Sequence, residues 1–279
     1  MKHWRTILPT CVIIVGTVLA PSGVDALTFT PERIDSSVYP GVSHTEKLTL
    51  FNETGESTSV VLEPVSLDII DAASGKFSFL LDSAGESSLS WLSVTPNQFV
   101  LGSGEKRNVT IEVLAPETSS GSLTAGIAAT FRPVSSGEQG DIELIGVTGP
   151  YIFAEVLSKD SVRQGFIESF RAMGGSKWFS SQPVPLSVSF ANNGNVHLKP
   201  SGTIVVRDIF GRIIDEIVVN EEQRTVLAGT TRTFEVVWGA NAEERTSGLQ
   251  REFHKLLVGP LRLTVEMTYD EDASQSAQI

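Results

Sequence analysis

Leu186-Ser187-Val188-Ser189-Phe190-Ala191-Asn192-Asn193-Gly194 is a strand pattern that runs directly into a turn. The apolar residues at 186, 188 and 190 alternate with the serines at 187 and 189, so one face meets a core and the other meets solvent. Asn and Gly tolerate the positive φ angles that tight turns need. A half-buried strand followed by such a turn is typical of an antiparallel β-sandwich.

The same alternation recurs along the whole chain and is separated by further turn signals. Helical periodicity is nearly absent, and only Gly248–Leu257 fits a helical turn or two. We therefore predict an all-β protein. The other alternating stretches are Val109–Val113, Leu123–Phe131, Phe234–Trp238 and Leu261–Tyr269, and the turn signals are Asn52–Gly55, Gly102–Gly104 and Phe210–Gly211.

A faint internal repeat divides the chain in two. Leu48–Gly55 is echoed by Val188–Gly194, and Val100–Ile111 is echoed by Val226–Val236 in the same order. Either the halves are similar domains, or β-rich segments resemble each other by chance. The prediction is two tandem immunoglobulin-like antiparallel β-sandwich domains, at 27–160 and 161–269, followed by a disordered acidic tail at 270–279.

The first 26 residues predict export. Lys2 and Arg5 precede the apolar run Cys11–Ala20, and Val24-Asp25-Ala26 fits a cleavage site, as in a secretory signal peptide. An uncleaved anchor is the alternative, but the run is shorter than the roughly 20 residues that span a bilayer. We expect a mature chain without cysteine, located at the cell surface, in the cell envelope or outside the cell.

The charge of the chain bounds its partners. A formal net charge of −12 disfavours binding to nucleic acid and direct docking on anionic lipid. No later stretch of the sequence reaches membrane-spanning length. The expected partner is a cell-wall polymer, or an envelope or surface protein.

Residue patterns for catalysis or metal binding are weak. His44, His197 and His254 lie far apart, without the spacing of a zinc site. Gly102–Lys106 lacks the glycine spacing of a phosphate-binding loop, and the acidic run Asp270–Asp272 lacks the ligand pattern of a calcium loop. We predict no enzyme activity, no cofactor and no metal.

One aromatic pair is a weak candidate for partner binding. Trp178 and Phe179 lie between the glycine-rich and serine-rich segments at 174–176 and 180–181, in a stretch typical of loops. An exposed aromatic pair would be a contact site. The alternative is that the pair caps the bottom of the sandwich. Trp91 and Trp238, in contrast, lie in apolar strand contexts and are expected in the cores.

Two sets of motifs carry a family resemblance. The first half resembles the N-terminal domain of the bacterial WxL-interacting surface proteins, and it shares looser features with PapD-like chaperone domains. The second half is similar to the second domain of two-domain immunoglobulin-like proteins exported by small-genome bacteria. The first set is Pro31–Ile34, Tyr39–Gly41, Leu48–Asn52, Trp91-Leu92, Phe99–Leu101, Gly104-Glu105, Ala115-Pro116 and Gly121, and the second is Phe190–Gly202, Phe210-Gly211 and Val219-Asn220.

The resemblance implies a binding or scaffolding role in the cell envelope, of the adhesin type. A second hypothesis is a periplasmic PapD-like assembly chaperone. In that family paired basic residues between the domains hold the C-terminus of a subunit, and Arg33 and Lys106 are basic candidates that the sequence alone does not bring together. A hydrolase with a dispersed site is the third hypothesis.

Overall fold

The computed structural model describes residues 27–80, 89–134, 146–174, 179, 182–239, 260–270 and 273–279. All secondary-structure elements in these ranges are β-strands, and the strands form four sheets. Two sheets precede residues 157–164 and two follow them, so each half is a sandwich. The predicted all-β fold of two immunoglobulin-like domains is confirmed. These ranges hold no helix with the length and apolarity to cross a membrane.

The first domain crosses from one sheet to the other at its start. One sheet has the strand order β1-β3-β8-β6, and the other has the order β2-β11-β9-β4-β5 with β10 beside β9 and β7 beside β4. Pro31 separates β1 from β2 and has no N–H to continue the first ladder. Strands β2 and β11 pair in parallel. The bounds are β1 (Leu27–Thr30), β2 (Arg33–Val38), β3 (Ser43–Asn52), β4 (Thr58–Asp71), β5 (Lys76–Leu80), β6 (Leu92–Thr95), β7 (Gln98–Leu101), β8 (Lys106–Leu114), β9 (Gly121–Pro133), β10 (Gly146–Thr148) and β11 (Tyr151–Val156).

The second domain is a smaller sandwich of antiparallel strands. Its sheets have the orders β12-β13-β16 and β15-β14-β17-β18. The bounds are β12 (Gly165–Ala172), β13 (Val184–Asn192), β14 (Ser201–Arg207), β15 (Ile213–Val219), β16 (Thr231–Trp238), β17 (Arg262–Asp270) and β18 (Ala273–Gln278).

Each sandwich encloses its own apolar core. The prediction that Ser187 and Ser189 of β13 meet solvent is wrong, because they are only 3% and 7% exposed and this strand is buried on both faces. In β8 the alternation of the sequence does determine which side chains enter the core. Val109, Ile111 and Val113 of β8 are at most 1% exposed, whereas the residues between them are more exposed. Trp91 belongs to the first core and Trp238 to the second, as predicted. The cores are separate clusters, so the contact between the domains must come from other residues.

A fully buried asparagine, Asn52, ends strand β3 of the first domain. The Nδ2 group of Asn52 donates to the carbonyl oxygens of Glu56 at 2.9 Å, Leu101 at 3.0 Å and Gly102 at 3.0 Å. Its Oδ1 atom accepts from the backbone N–H of Thr54 at 3.0 Å. One side chain thereby holds the turn after β3 against the end of β7.

Asn192 has the same role in the second domain. It ends β13, is fully buried, and donates from Nδ2 to the carbonyl oxygens of Val196 at 2.8 Å and Val226 at 3.0 Å. Its Oδ1 atom accepts from the backbone N–H of Gly194 at 3.0 Å. The internal repeat therefore reflects an equivalent buried amide in each sandwich.

The predicted disordered tail is wrong for the residues that the structure describes. Ala273–Gln278 form β18, which pairs antiparallel with β17, and Ala277 packs against the second core. The open edge of β17 supplies backbone donors and acceptors, and this pairing does not need apolar side chains. A polar composition alone therefore misled the prediction.

Several predictions concern residues outside the described ranges. These are the signal peptide at 1–26, the possible helical turn Gly248–Leu257, and His254 within it.

Asn52→Ala should destabilise the first domain by about 3 kcal/mol, because it leaves buried backbone carbonyls without donors. The exposed Asn108→Ala variant is the control and should change the stability by about 0.5 kcal/mol or less. Urea unfolding followed by tryptophan fluorescence measures both. Equal losses in the two variants would contradict the structural role of the Asn52 amide.

Candidate binding site at the domain junction

The second domain covers the outer face of one sheet of the first. Phe153 on β11 and Asp35 on β2 face away from the core, whereas their neighbours Ile152 and Ile34 face into it. Phe153 is nevertheless only 2% exposed. The imidazole ring of His197, from the second domain, lies 5.7 Å from its ring centre. The junction is therefore built on an apolar side chain outside the sandwich core.

Two cations from different domains bind one carboxylate beside this aromatic contact. Arg33 donates from Nε and Nη2 to the two oxygens of Asp35, at 2.9 and 2.6 Å. The Nζ atom of Lys199 lies 2.9 Å from Asp35 Oδ2. Burial raises the pKa of Asp35, whereas the hydrogen bonds and charges of Arg33 and Lys199 lower it. The lowering is larger in sum, so the pKa of Asp35 lies below its ordinary value. Asp35 is consequently ionised at neutral pH.

Arg33 has two further contacts in the junction. Its Nη2 group donates to the hydroxyl of Thr225 in the second domain. Its guanidinium carbon lies 4.3 Å from the ring centre of Phe153, which is within the range of a cation–π contact. The guanidinium is therefore positioned by groups other than Asp35.

Ser122 joins β9 to the second domain through three hydrogen bonds. Its Oγ atom lies 2.6 Å from Nδ1 of His197 and accepts from the backbone N–H of His197 at 2.8 Å. Its own N–H donates to the carbonyl of Asn195 at 2.9 Å. A Cβ atom on the neighbouring Gly121 would overlap with that carbonyl. Glycine at this position permits the close approach of the two backbones.

The imidazole of His197 is neutral at physiological pH. Burial lowers the pKa of His197 to about 4, and the nearby Asp35 carboxylate raises it by less. The hydroxyl of Ser122 can donate to Nδ1, and in that tautomer the imidazole proton is on Nε2. Nε2 faces Asp35 Oδ1 at 4.0 Å, which is too long for a hydrogen bond.

Ser122, His197 and Asp35 share residue types with a hydrolytic triad but not its geometry. The hydroxyl already has two partners, the histidine–aspartate distance is 4.0 Å, and the His197 side chain is 8% exposed. A catalytic serine needs an accessible oxygen and a histidine held by a hydrogen-bonded carboxylate. The described residues also contain no group of three or more His, Cys, Asp or Glu that could hold a metal ion.

The β4–β5 hairpin extends from the first domain to a second contact with the other domain. The carbonyl of Ala73 accepts from the backbone N–H of Thr233 at 2.8 Å. Arg232 donates from Nη2 to the carbonyl of Ser74 at 2.8 Å and from Nη1 to the carbonyl of Thr225 at 2.7 Å. A Cβ atom on Gly75, whose φ is +69°, would overlap with the Arg232 guanidinium.

The hairpin also packs aromatic side chains on the outer sheet face. The ring centre of Phe77 lies 6.0 Å from that of Tyr151 and 6.3 Å from that of Phe153. Phe79 lies 5.6 Å from Tyr151 and occupies the space where a side chain at Gly126 would lie. Hairpin and second domain together cover one apolar surface.

Positive charge is concentrated in the junction. Burial lowers the pKa of Arg232, and the charges of Arg224 and Arg33 lower it further. The hydrogen bonds of Arg232 go to backbone carbonyls, and no carboxylate of the described residues pairs with it. The junction thus holds three cations, Arg33, Lys199 and Arg232. The first two bind the carboxylate of Asp35. Such an arrangement favours anions.

The structure separates the two basic candidates of the chaperone hypothesis. Lys106 lies on β8 in the other sheet, with Nζ 5.0 Å from the ring centre of Phe51. The basic residue that accompanies Arg33 is Lys199 instead. Sequence reasoning missed this pair, because the two residues belong to different domains. The position of Lys199 shortly after the Asn192–Gly194 turn was the available signal.

The aromatic candidate pair is only partly described. Phe179 is half-buried and packs against the core of the second domain, as expected of a residue that caps a sandwich. Trp178 lies outside the described residues.

No protein-family model and no curated protein matches this sequence. Among solved structures, the class 5 fimbriae chaperone CfaA is 10% identical, with 91% of this chain and 98% of that chain covered and a TM-score of 0.45. The E. coli chaperone DraB is 14% identical, with 91% and 98% covered and a TM-score of 0.41. A PapD-like domain of human CEP192 is 14% identical, with 53% and 98% covered and a TM-score of 0.35. Similarities of this size do not identify what this chain binds.

Gly75→Ala should weaken the contact of the hairpin with the second domain. The new methyl group displaces the Arg232 guanidinium, so the Thr233 amide should lose protection and exchange its hydrogen about tenfold faster. Gly104→Ala is the matched control, because φ is +70° there and no atom lies within 4 Å of the added Cβ. Equal exchange rates at Thr233 in the two variants would contradict a close contact at Gly75.

The stability of the protein should fall as the pH drops from 6.5 to 4. His197 binds a proton below its ordinary pKa of 6.5 when unfolded but stays neutral to about 4 when folded. Acid therefore favours the unfolded chain, by about 2 kcal/mol at pH 5. His197→Gln should remove this part of the pH dependence, as measured by urea unfolding at pH 7 and pH 5. A variant with the same loss as the unchanged chain would argue against a buried neutral imidazole.

Proposed function

We propose that this chain is an exported, non-enzymatic binding protein of the assembly-chaperone type, which holds a protein subunit by the free carboxylate of its C-terminus. The pair of cations at the junction carries the proposal. Arg33 comes from the first domain and Lys199 from the second, and both bind the Asp35 carboxylate. A carboxylate at that position is recognised by both domains at once.

The chemistry of the pair suits a carboxylate. A guanidinium group presents two parallel N–H donors that match the two carboxylate oxygens, and the contact with Asp35 has this bidentate form. An ammonium group such as that of Lys199 adds a point charge without constraining the orientation. A chain terminus supplies one carboxylate with both oxygens free, whereas the rest of a backbone supplies only neutral acceptors.

The junction is also preorganised for binding. The hydrogen bonds of Ser122 with His197 and of Ala73 with Thr233 hold the two domains in one orientation before a partner arrives. A partner then does not have to order the domains, and the free energy of binding is not reduced by that cost.

Two similar solved structures are complexes of a chaperone with a tip adhesin or tip adhesion subunit, from CFA/I fimbriae and from Csu pili of Acinetobacter baumannii. We assign this chain a partner of the same class, an exported subunit. The assignment rests on the geometry of Arg33 and Lys199 and not on the similarity. The predicted signal peptide supports export.

Binding of a wall polymer or of several envelope proteins, in an adhesin or scaffold role, is the other function predicted from the sequence. No catalytic step belongs to the proposal, because Ser122 and His197 are occupied in the contact between the domains.

The test is co-purification of chain 27–279 from the envelope of its own host. We expect one exported subunit at equal stoichiometry, whose binding is lost when residues are appended after its C-terminal carboxylate. Arg33→Gln with Lys199→Gln should weaken binding of the purified subunit at least about tenfold, because the carboxylate loses both cations.

Lys47→Gln is the control, since it removes a positive charge from an exposed position of β3. It should leave the affinity unchanged. Retention on wall polymer instead, or unaltered binding by the double variant, would reject the chaperone proposal and favour the adhesin or scaffold role.

A further inference from the structure

Asp35 occupies the position that the proposed function assigns to a partner's carboxylate. Its two oxygens take both Arg33 donors and the Lys199 ammonium. No ligand is needed to explain the arrangement, because the first domain itself supplies the anion. The free protein thus contains a substitute for the group that it is proposed to bind.

The position of the Arg33 guanidinium does not depend on Asp35 alone. Arg33 also contacts the Thr225 hydroxyl and the ring of Phe153. Removal of the Asp35 charge therefore leaves the guanidinium beside Phe153, with its donors directed toward the same place. An arginine whose only contact was the carboxylate would instead move away once the carboxylate charge was removed.

The cluster is open enough for exchange. The side chains of Arg33 and Asp35 are 30% and 35% exposed, and that of Lys199 is 34% exposed. Partly exposed ion pairs contribute little net stability, because solvent competes for both charges. An incoming carboxylate can replace Asp35 without leaving a fully buried charge unpaired.

We propose that Asp35 is a resident competitor, which occupies the carboxylate site of the free protein and is displaced by the C-terminal carboxylate of a partner. This inference rests on the proposed function. The incoming carboxylate takes over the donors of Arg33 and Lys199, while the displaced Asp35 side chain stays nearby on β2 and its charge opposes the incoming anion. The affinity of the protein for its partner is therefore lower than it would be without Asp35. When the partner dissociates, the Asp35 carboxylate binds Arg33 and Lys199 again.

The test uses N-acetyl-glycyl-phenylalanine, with a free carboxylate, and the same compound with a carboxamide. Titration of chain 27–279 is followed through the Nε–H signal of Arg33 in ¹H–¹⁵N NMR spectra. Asp35→Asn should lower the midpoint for the carboxylate about tenfold and leave the response to the carboxamide unchanged. Asp68→Asn is the matched control, because it removes the same charge from an exposed position of β4, and it should match the unchanged chain.

The outcomes separate the two proposals. If the unchanged chain prefers the carboxylate and the folded Asp35→Asn variant binds it equally or more weakly, Asp35 braces the domains and the competitor proposal is wrong. If neither protein prefers the carboxylate to the carboxamide, the site does not bind chain termini, and the proposed function fails as well. Urea unfolding of each variant shows that it is folded.

Discussion

The contact between Phe153 and the second domain is the interaction on which the junction depends. A phenylalanine on the outside of a sandwich exposes apolar area unless something covers it. Here His197 covers one side and the β4–β5 hairpin covers another, which leaves the ring 2% exposed. The polar contacts follow from this burial. Ser122 is close enough to bind His197 because the ring surface brings the domains together, and Arg33 lies on the same ring while it reaches Asp35 and Thr225.

Charge is distributed unevenly in this protein. The chain as a whole is acidic, with a net charge of −12, yet the junction gathers arginine and lysine side chains around Asp35. Burial lowers the pKa of Arg232, and the charges of Arg224 and Arg33 lower it further, so the protein holds these cations together against their repulsion. Backbone carbonyls of Ser74 and Thr225 satisfy the Arg232 donors without neutralising its charge. An acidic exterior around a positive junction directs anions toward that region.

The sandwiches were predictable from the sequence because their information is local. Alternation within single strands, such as Val109–Val113, determines which face is buried, and the repeated Asn52 and Asn192 mark equivalent turns. The junction was not predictable in this way. Arg33 and Lys199 meet only after two complete domains have formed and docked, and no period in the sequence relates them. The strand Ala273–Gln278 was missed for a different reason, since the backbone of its neighbour determines its structure and its own side chains do not.

The hairpin contact has a consequence for the order in which the molecule is completed. Ser74 and Arg232, which it joins, are 158 residues apart in the chain. Synthesis proceeds from the N-terminus, so the first sandwich can fold while His197, which covers Phe153 from the second domain, does not yet exist. During that interval the half-made protein presents the Phe153 ring and two further aromatic side chains of the hairpin side by side. Contacts between residues so distant in sequence also form slowly. The newly synthesised first domain is therefore prone to aggregation until the second domain docks and covers this surface.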